Sequence, residues 1–498
     1  MRTLLQRLVL LAVVLLAPSR LLAVDDFDRW YALELAGASA GWMHAWQTSE
    51  GERVVTGSRM EIAIGRGPAA VRVTMESEFV ETKAGKPISM KSVQQLGAIP
   101  TTTTYVFSDT EIAVETTQGE QVSRTTRPMP KEVWLTPAAA SEYTRQRLAA
   151  GAESIEVRTM EASTGATVIT LSRSKFERVE IDLLGKRHTV TRCASSSSAA
   201  PGIESIEYMD DQGNPVKTTI PLGGMSMSVT IATREDALAA AKGEAPEVMV
   251  RTLVKPDREI ASPRKTTKGV YLLSLPAEDG GAAVVPPLPT TGVQTITAIE
   301  GGVRVTVRVS KWAPADPADA ENPAYMASTS MINAEDPEIV RLAREATSEI
   351  GDDPARRAEA LRAFVSKYVR SKNLSVGFAS ASEVARSKQG DCTEHGVLLA
   401  ALLRASGIPA RTVSGLIYAD QFAGEKGVFG YHMWTQALLV IDGTPRWVDL
   451  DGTLREQPFD ATHIAIAVSA LAEGEEASSL ASLLPLLGRL RIQVESIE

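Results

Sequence analysis

The hydrophobic period of this chain changes once, and the change divides it into two kinds of structure. Between residues 25 and 231, short apolar–polar alternations recur at 30–35, 71–79, 104–107, 111–116, 154–159, 166–171, 176–183, 203–209 and 225–231. Successive strand residues face opposite sides of a sheet, so a period of two over such runs predicts antiparallel strands. Asp211-Gln212-Gly213-Asn214 supplies a turn between the last two, and only 138–148 reads as helix in this part. From Asp336-Pro337 onward the period is helical. Leu361, Phe364, Val365 and Tyr368 recur at i, i+3, i+4 and i+7, and Pro337 follows an aspartate suited to cap a helix. The expected fold class is α+β, a large antiparallel β region followed by a mixed domain.

Punctuation sets the boundaries. Residues 234–242 favour helix and close the first unit, and Pro246, Pro256 and Pro263 open a connection. A smaller β unit follows, with strands at 269–275, 293–299 and 303–309, the last two joined across Glu300-Gly301-Gly302. Pro314, Pro317 and Pro323 disfavour helix and strand alike and predict a flexible linker. The expected division is a leader over 1–23, an antiparallel β domain over 24–245, the small β unit over 246–312, the linker over 313–334, a mixed domain over 335–470 and a tail over 471–498.

Arg2 and Arg7 precede the apolar run 8–17, and Leu21-Leu22-Ala23 offers a small residue for cleavage, the pattern of a secretory signal peptide. A membrane span needs about 20 apolar residues, and Pro18, Ser19 and Arg20 end this run well before that. The mature chain is therefore expected to be soluble, in the periplasm or outside the cell. Its net charge of −9 is spread without long like-charge runs, and no basic patch is interleaved with aromatics. That argues against a nucleic-acid partner and for a protein or peptide. With two cysteines, at most one bridge could form; Cys193, after the strand-like run 187–192, reads as a small buried hydrophobe.

The other cysteine sits in Gly390-Asp391-Cys392-Thr393-Glu394-His395, directly before an apolar helix that carries Val397, Leu398, Ala401, Leu402 and Ala405 and ends at Gly407 and Pro409. At a helix start a thiol meets unpaired N–H groups and the positive end of the macrodipole, which favour the nucleophilic thiolate. Strands are expected at 411–418, 433–441 and 446–450. They place His432 and Asp451 after the nucleophile. A thiolate, an imidazole and a group that orients the imidazole are what acyl transfer by cysteine requires.

Together with 401–411, His432-Met433-Trp434 and Trp447-Val448-Asp449-Leu450-Asp451-Gly452-Thr453, the cysteine motif resembles the transglutaminase-like superfamily across about 335–468. The resemblance implies a papain-like fold with Cys392, His432 and Asp451 as catalytic triad. Gln436 stands where the family commonly has glutamate, and Gly452 where it has proline. Asp449 competes with Asp451, and Thr453 beyond Asp451 aligns the latter with the family's acid.

Other candidates carry less. His395 lies three residues after Cys392 and reads as a neighbour of the helix's first turn; His44, His188 and His463 read as packing or surface residues. Cys392 with His395 is two ligands where a catalytic zinc normally has three, and Asp352-Asp353 lacks a calcium-loop pattern, so neither metal nor cofactor is expected. Asp352 and Asp353 read as a cap before Pro354. Trp434 and Trp447 are candidates to wall an acyl groove or to fill the core. The N–H of Cys392 should donate to an oxyanion, with Gln389 as one possible second donor. The expectation is an exported hydrolase, peptidase or transglutaminase working through a thioester. Its alternative is a catalytically silent envelope binding or scaffolding protein that uses the β region.

Overall fold

The computed structural model describes residues 25–67, 69–119, 121–161, 165–276, 284–371, 378–455, 458–472 and 483–498. The expected leader lies outside the described residues. Fourteen antiparallel strands form one sheet. Eight run in sequence from Phe27–Leu35 to the edge strand Gln121–Pro128; six more lead from the other edge, Ser154–Met160, back to Met225–Ala232, which pairs with Phe27–Leu35. Alternation works as expected in the first strand, where Tyr31, Leu33 and Leu35 are buried and Glu34 is exposed. Met160 of one edge packs with Phe79, Met90, Tyr105, Ile112 and Val114 of the other half, so the sheet curls over a shared core. The exposed edge Gln121–Pro128 carries Arg124, Arg127 and three hydroxyl residues, which discourage pairing with another chain.

The sequence reading undercounts this sheet. Ala38–Glu50, Arg53–Arg66, Pro87–Gln95 and Pro215–Leu222 are strands whose apolar alternation is broken by Gly, Ser, Thr and Gln. The runs at 166–171 and 176–183 belong to one strand, Val168–Leu183, whose register shifts near Lys175, a residue at φ 58°. The helix expected at 138–148 is Pro137–Ala149, held at its start by buried Glu81, which accepts from Thr136 Oγ1 (2.6 Å) and Ala138 N (3.0 Å).

Two expectations about the chain's organisation need correction. The end of the expected tail is part of a sheet: Arg491–Ile497 pairs with Lys268–Ser274 and completes a four-stranded sheet with Gly302–Arg308 and Gln294–Ile299. Ile492 and Val494 enter the core beside Tyr271 and Leu273. The stretch 313–334 is no loose linker. Pro317 and Pro323 open short helical turns, Asp319 accepts from Trp447 Nε1 (2.8 Å), Arg404 Nη1 donates to Ala327 O (2.7 Å), and Met331 and Ile332 join a hydrophobic core. Proline excluded long regular elements there, as it must, but packing fixed the segment.

A third sheet, ordered Thr444–Leu450, Glu425–Ile441, Ala410–Phe422 and His463–Ser469, lies between two layers. Helices Pro337–Thr347, Pro354–Tyr368, Ala381–Ser387 and Cys392–Ala405 share one core with it, and the small sheet shares another through Leu416, Tyr418, Phe429 and Ile464. Cys392–Ala405 is central, with Val397 through Leu403 fully buried. That explains its nearly uninterrupted apolar sequence. Hairpin tips of the large sheet rest on this domain. Arg66 pairs with Asp391, Ile99 N donates to Glu383 Oε1 (2.7 Å), Phe378 N donates to Leu96 O (3.2 Å), and Gln121 Nε2 donates to Asp336 Oδ2 (2.9 Å).

Candidate active site

Local chemistry fixes where the helix Cys392–Ala405 begins. Asp391 is its N-cap: Oδ1 accepts from Thr393 N (2.9 Å), while the Asp391 N–H donates to Glu394 Oε2 (2.8 Å) in a capping box. Gly390 precedes it at φ 150°, and a Cβ there would lie 2.2 Å from the Glu394 side chain, so the turn needs glycine. Burial, followed by the Asp391 charge, pushes the Glu394 carboxyl up to about 8. Cys392 is the first helical residue and half-buried, with its N–H among those the helix leaves free to donate.

His432 comes from Glu425–Ile441, where it lies opposite Gly415. Its Nε2 is 2.9 Å from Asp451 Oδ2, and Cys392 is close enough to the ring to favour its protonated form. Burial works against charge on this imidazole, yet the Asp451 carboxylate, the hydrogen bond to it and the nearby Cys392 push it up to about 9. The Trp434 ring stacks beside it at 6.1 Å. Asp451 follows Thr444–Leu450 and is fully enclosed by donors: Oδ1 accepts from Thr453 N and Oγ1, both at 2.7 Å, and Oδ2 faces two imidazoles. Burial raises a carboxyl, but the histidines outweigh it and hold Asp451 well below the usual range.

The structure thus brings Cys392, His432 and Asp451 together. Asp449 is engaged elsewhere: Oδ1 accepts from Trp434 Nε1 (2.9 Å) and Gln436 Nε2 (2.8 Å), and Oδ2 from Val293 N (3.0 Å) of the small sheet. Gln436 thereby has a structural use at the position that departs from the family pattern. Trp434 borders the site, whereas Trp447 does not; it lies under Arg411, 3.9 Å from ring centroid to guanidinium carbon, and pins 313–334. His395 is buried, its Nδ1 2.5 Å from Asp391 O, and Gln389 is exposed. Asp353, ahead of Pro354, caps its helix as the sequence suggested. Cys193 is fully buried in the large sheet, where burial pushes its thiol up to about 12, and both cysteines are free.

One residue read as packing is at the heart of the site. His463 opens the buried strand His463–Ser469; its Nε2 lies 3.2 Å from Asp451 Oδ2 and its Nδ1 3.1 Å from Asp460 O. Asp460 is in turn bonded by Arg264 Nη1 (2.6 Å) and Thr462 N (2.9 Å). The available signal was a histidine heading an otherwise apolar strand, since a buried imidazole needs polar partners. His432, Asp451 and His463 also have ligand-type atoms within 4.8 Å of one another, here joined by hydrogen bonds.

The sequence profile of the transglutaminase-like superfamily matches residues 341–452, so this span is a transglutaminase-like core domain. No curated protein matches the chain. Similar solved structures include a β-barrel-like protein of a domain of unknown function from Brucella abortus, at 14% identity over 42% of this chain and 96% of that chain, TM-score 0.34. Another is the periplasmic domain of TgpA from Pseudomonas aeruginosa bound to ethylmercury, at 14% identity over 41% of this chain and 89% of that chain, TM-score 0.25.

Proposed function

We propose that the chain is an exported cysteine-dependent enzyme that transfers the acyl group of an amide or peptide through a thioester. The observation that supports this reading is the His432 ring, bonded through Nε2 to Asp451 and close to Cys392 at the start of its helix. Cys392 Sγ attacks the carbonyl carbon, and the Cys392 N–H donates to the oxygen as it gains charge. When the C–N bond breaks, His432 gives its proton to the departing nitrogen. Water or an amine then attacks the thioester, His432 takes the incoming proton, and Sγ leaves. Asp451 keeps the imidazole oriented throughout.

Water as acceptor makes the enzyme a hydrolase or peptidase; a lysine amine makes it a transglutaminase. The preferred reading is hydrolysis of an envelope protein or peptide, because no amine-acceptor site is recognisable among the described residues. The deciding experiment traps the thioester with an amine probe and identifies the captured acyl group by mass spectrometry. Capture by the wild type and none by Cys392→Ala supports the proposal. No capture, together with no preferential alkylation of Cys392 by iodoacetamide at mildly acidic pH, favours the silent binding protein.

A further inference from the structure

We propose that His463 is an imidazolium at neutral pH that positions Asp451 and holds down the proton affinity of His432. Hydrogen-bond accounting gives its charge. Nδ1 faces the Asp460 carbonyl oxygen at 3.1 Å, with Asp460 Oδ1 at 3.5 Å, and a carbonyl can only accept. Nε2 faces Asp451 Oδ2, and that carboxylate already gathers donors from Thr453 and His432, which favour its ionised form. Both ring nitrogens therefore donate, and an imidazole with two N–H groups is a cation.

Every element packed against the ring is consistent with this. Asp451, just past Thr444–Leu450, and, farther off, Asp449 within that strand approach from the opposite edge of the sheet; Asp460 precedes His463's own strand, backed by Arg264; His432 faces it from Glu425–Ile441. Phe459 stacks on it at 4.0 Å and Trp434 meets it edge-on at 5.3 Å, excluding water. The result is an alternating series, Arg264, Asp460, His463, Asp451, His432 and Cys392. Burial disfavours charge on His463, but bonds to Asp451 and Asp460 push it up to about 9.

The consequence rests on His432 and Asp451 serving Cys392 as proposed above. A lone Asp451 would stabilise imidazolium at His432 strongly and make it a reluctant proton donor to a leaving nitrogen. His463 shares that carboxylate and adds a positive charge 5.8 Å away, ring to ring. At an effective dielectric of about 20, such a charge lowers the neighbour's titration midpoint by on the order of one to two pH units.

The test is nitrogen-15 NMR of the imidazoles, which reads protonation without a substrate. The chain has 5 histidines, assignable by single His→Gln variants. In the wild type, His463 should remain doubly protonated at pH 7. In full-length Cys392→Ala, which brings His432 into an accessible range, adding His463→Gln should raise the His432 midpoint by about one unit or more. A His463 neutral at pH 7, or an unmoved His432 midpoint in a folded His463→Gln protein, overturns the proposal. If that variant does not fold, assignment through the other four histidines leaves the wild-type measurement decisive. These outcomes are independent of whether Cys392 forms a thioester.

Discussion

Replacing Asp451 by asparagine is the sharpest single perturbation of this site, because it conserves shape and reverses one hydrogen-bonding role. Oδ1 would still accept from Thr453, so the new amide NH2 would point at the two imidazoles that Oδ2 now serves. Each ring would then have to present an unprotonated Nε2. His463 can do so by keeping its proton on Nδ1 toward Asp460 O. His432 can do so only as the neutral tautomer with its proton on Nδ1, which removes the cation paired with Cys392 and leaves no vacant ring nitrogen to take the thiol's proton. In a serine triad the same change costs about ten-thousand-fold, or roughly 5.4 kcal/mol of transition-state stabilisation. The assay is the rate of amine-probe capture, paralleled by iodoacetamide labelling of Cys392 at pH 6. Asp449→Asn is the control: its amide would face Val293 N, leaving two donors opposed and costing about 1–3 kcal/mol of stability, with far less effect on turnover of the folded protein. An Asp451→Asn protein within about ten-fold of wild type, or one more active than Asp449→Asn, refutes the assignment of the acid.

Cys392→Ala should abolish capture with the fold intact by circular dichroism, since a half-buried first-turn residue is replaced by a good helix former; Cys193→Ser should leave activity of the folded protein unchanged. A fragment beginning at Met326 should be unstable, as judged by hydrogen exchange, because its last strand would lose Lys268–Ser274 and its helix cap would lose Arg66; a well-folded, labelled fragment would show that these contacts are dispensable. In the full chain, Arg66→Met should lower Tm and slow labelling of Cys392 several-fold, and no change in either would show that the large sheet merely touches the helix. Thermal stability should also fall between pH 6.5 and 9. His432 and His463 are raised to about 9 in the folded state, so their contribution is complete below the unfolded value near 6.5 and is lost as pH rises through 9. His463→Gln should flatten that decline in a Tm-versus-pH series.

Much of this molecule is local and therefore legible from sequence: the alternation in Phe27–Leu35, the capping residues Asp336 and Asp353, and the apolar run from Val397 to Leu403 in the helix that begins at Cys392 each follow from short-range periodicity and sterics. The candidates Cys392, His432 and Asp451 could likewise be picked out, because each stands in a motif with distinctive flanks. What distinguishes Asp451 from Asp449 is a matter of which donors surround each, and those donors come from Val293, Trp434, His432 and His463, far apart in the chain. The role of His463 depends on Asp460 and Arg264 meeting behind it. Strand pairing of Arg491–Ile497 and the seating of Arg66 on Asp391 join residues more than two hundred positions apart. Periodicity specifies which face of an element is apolar, whereas only chain-distant packing decides what that face, and each buried charge, will meet.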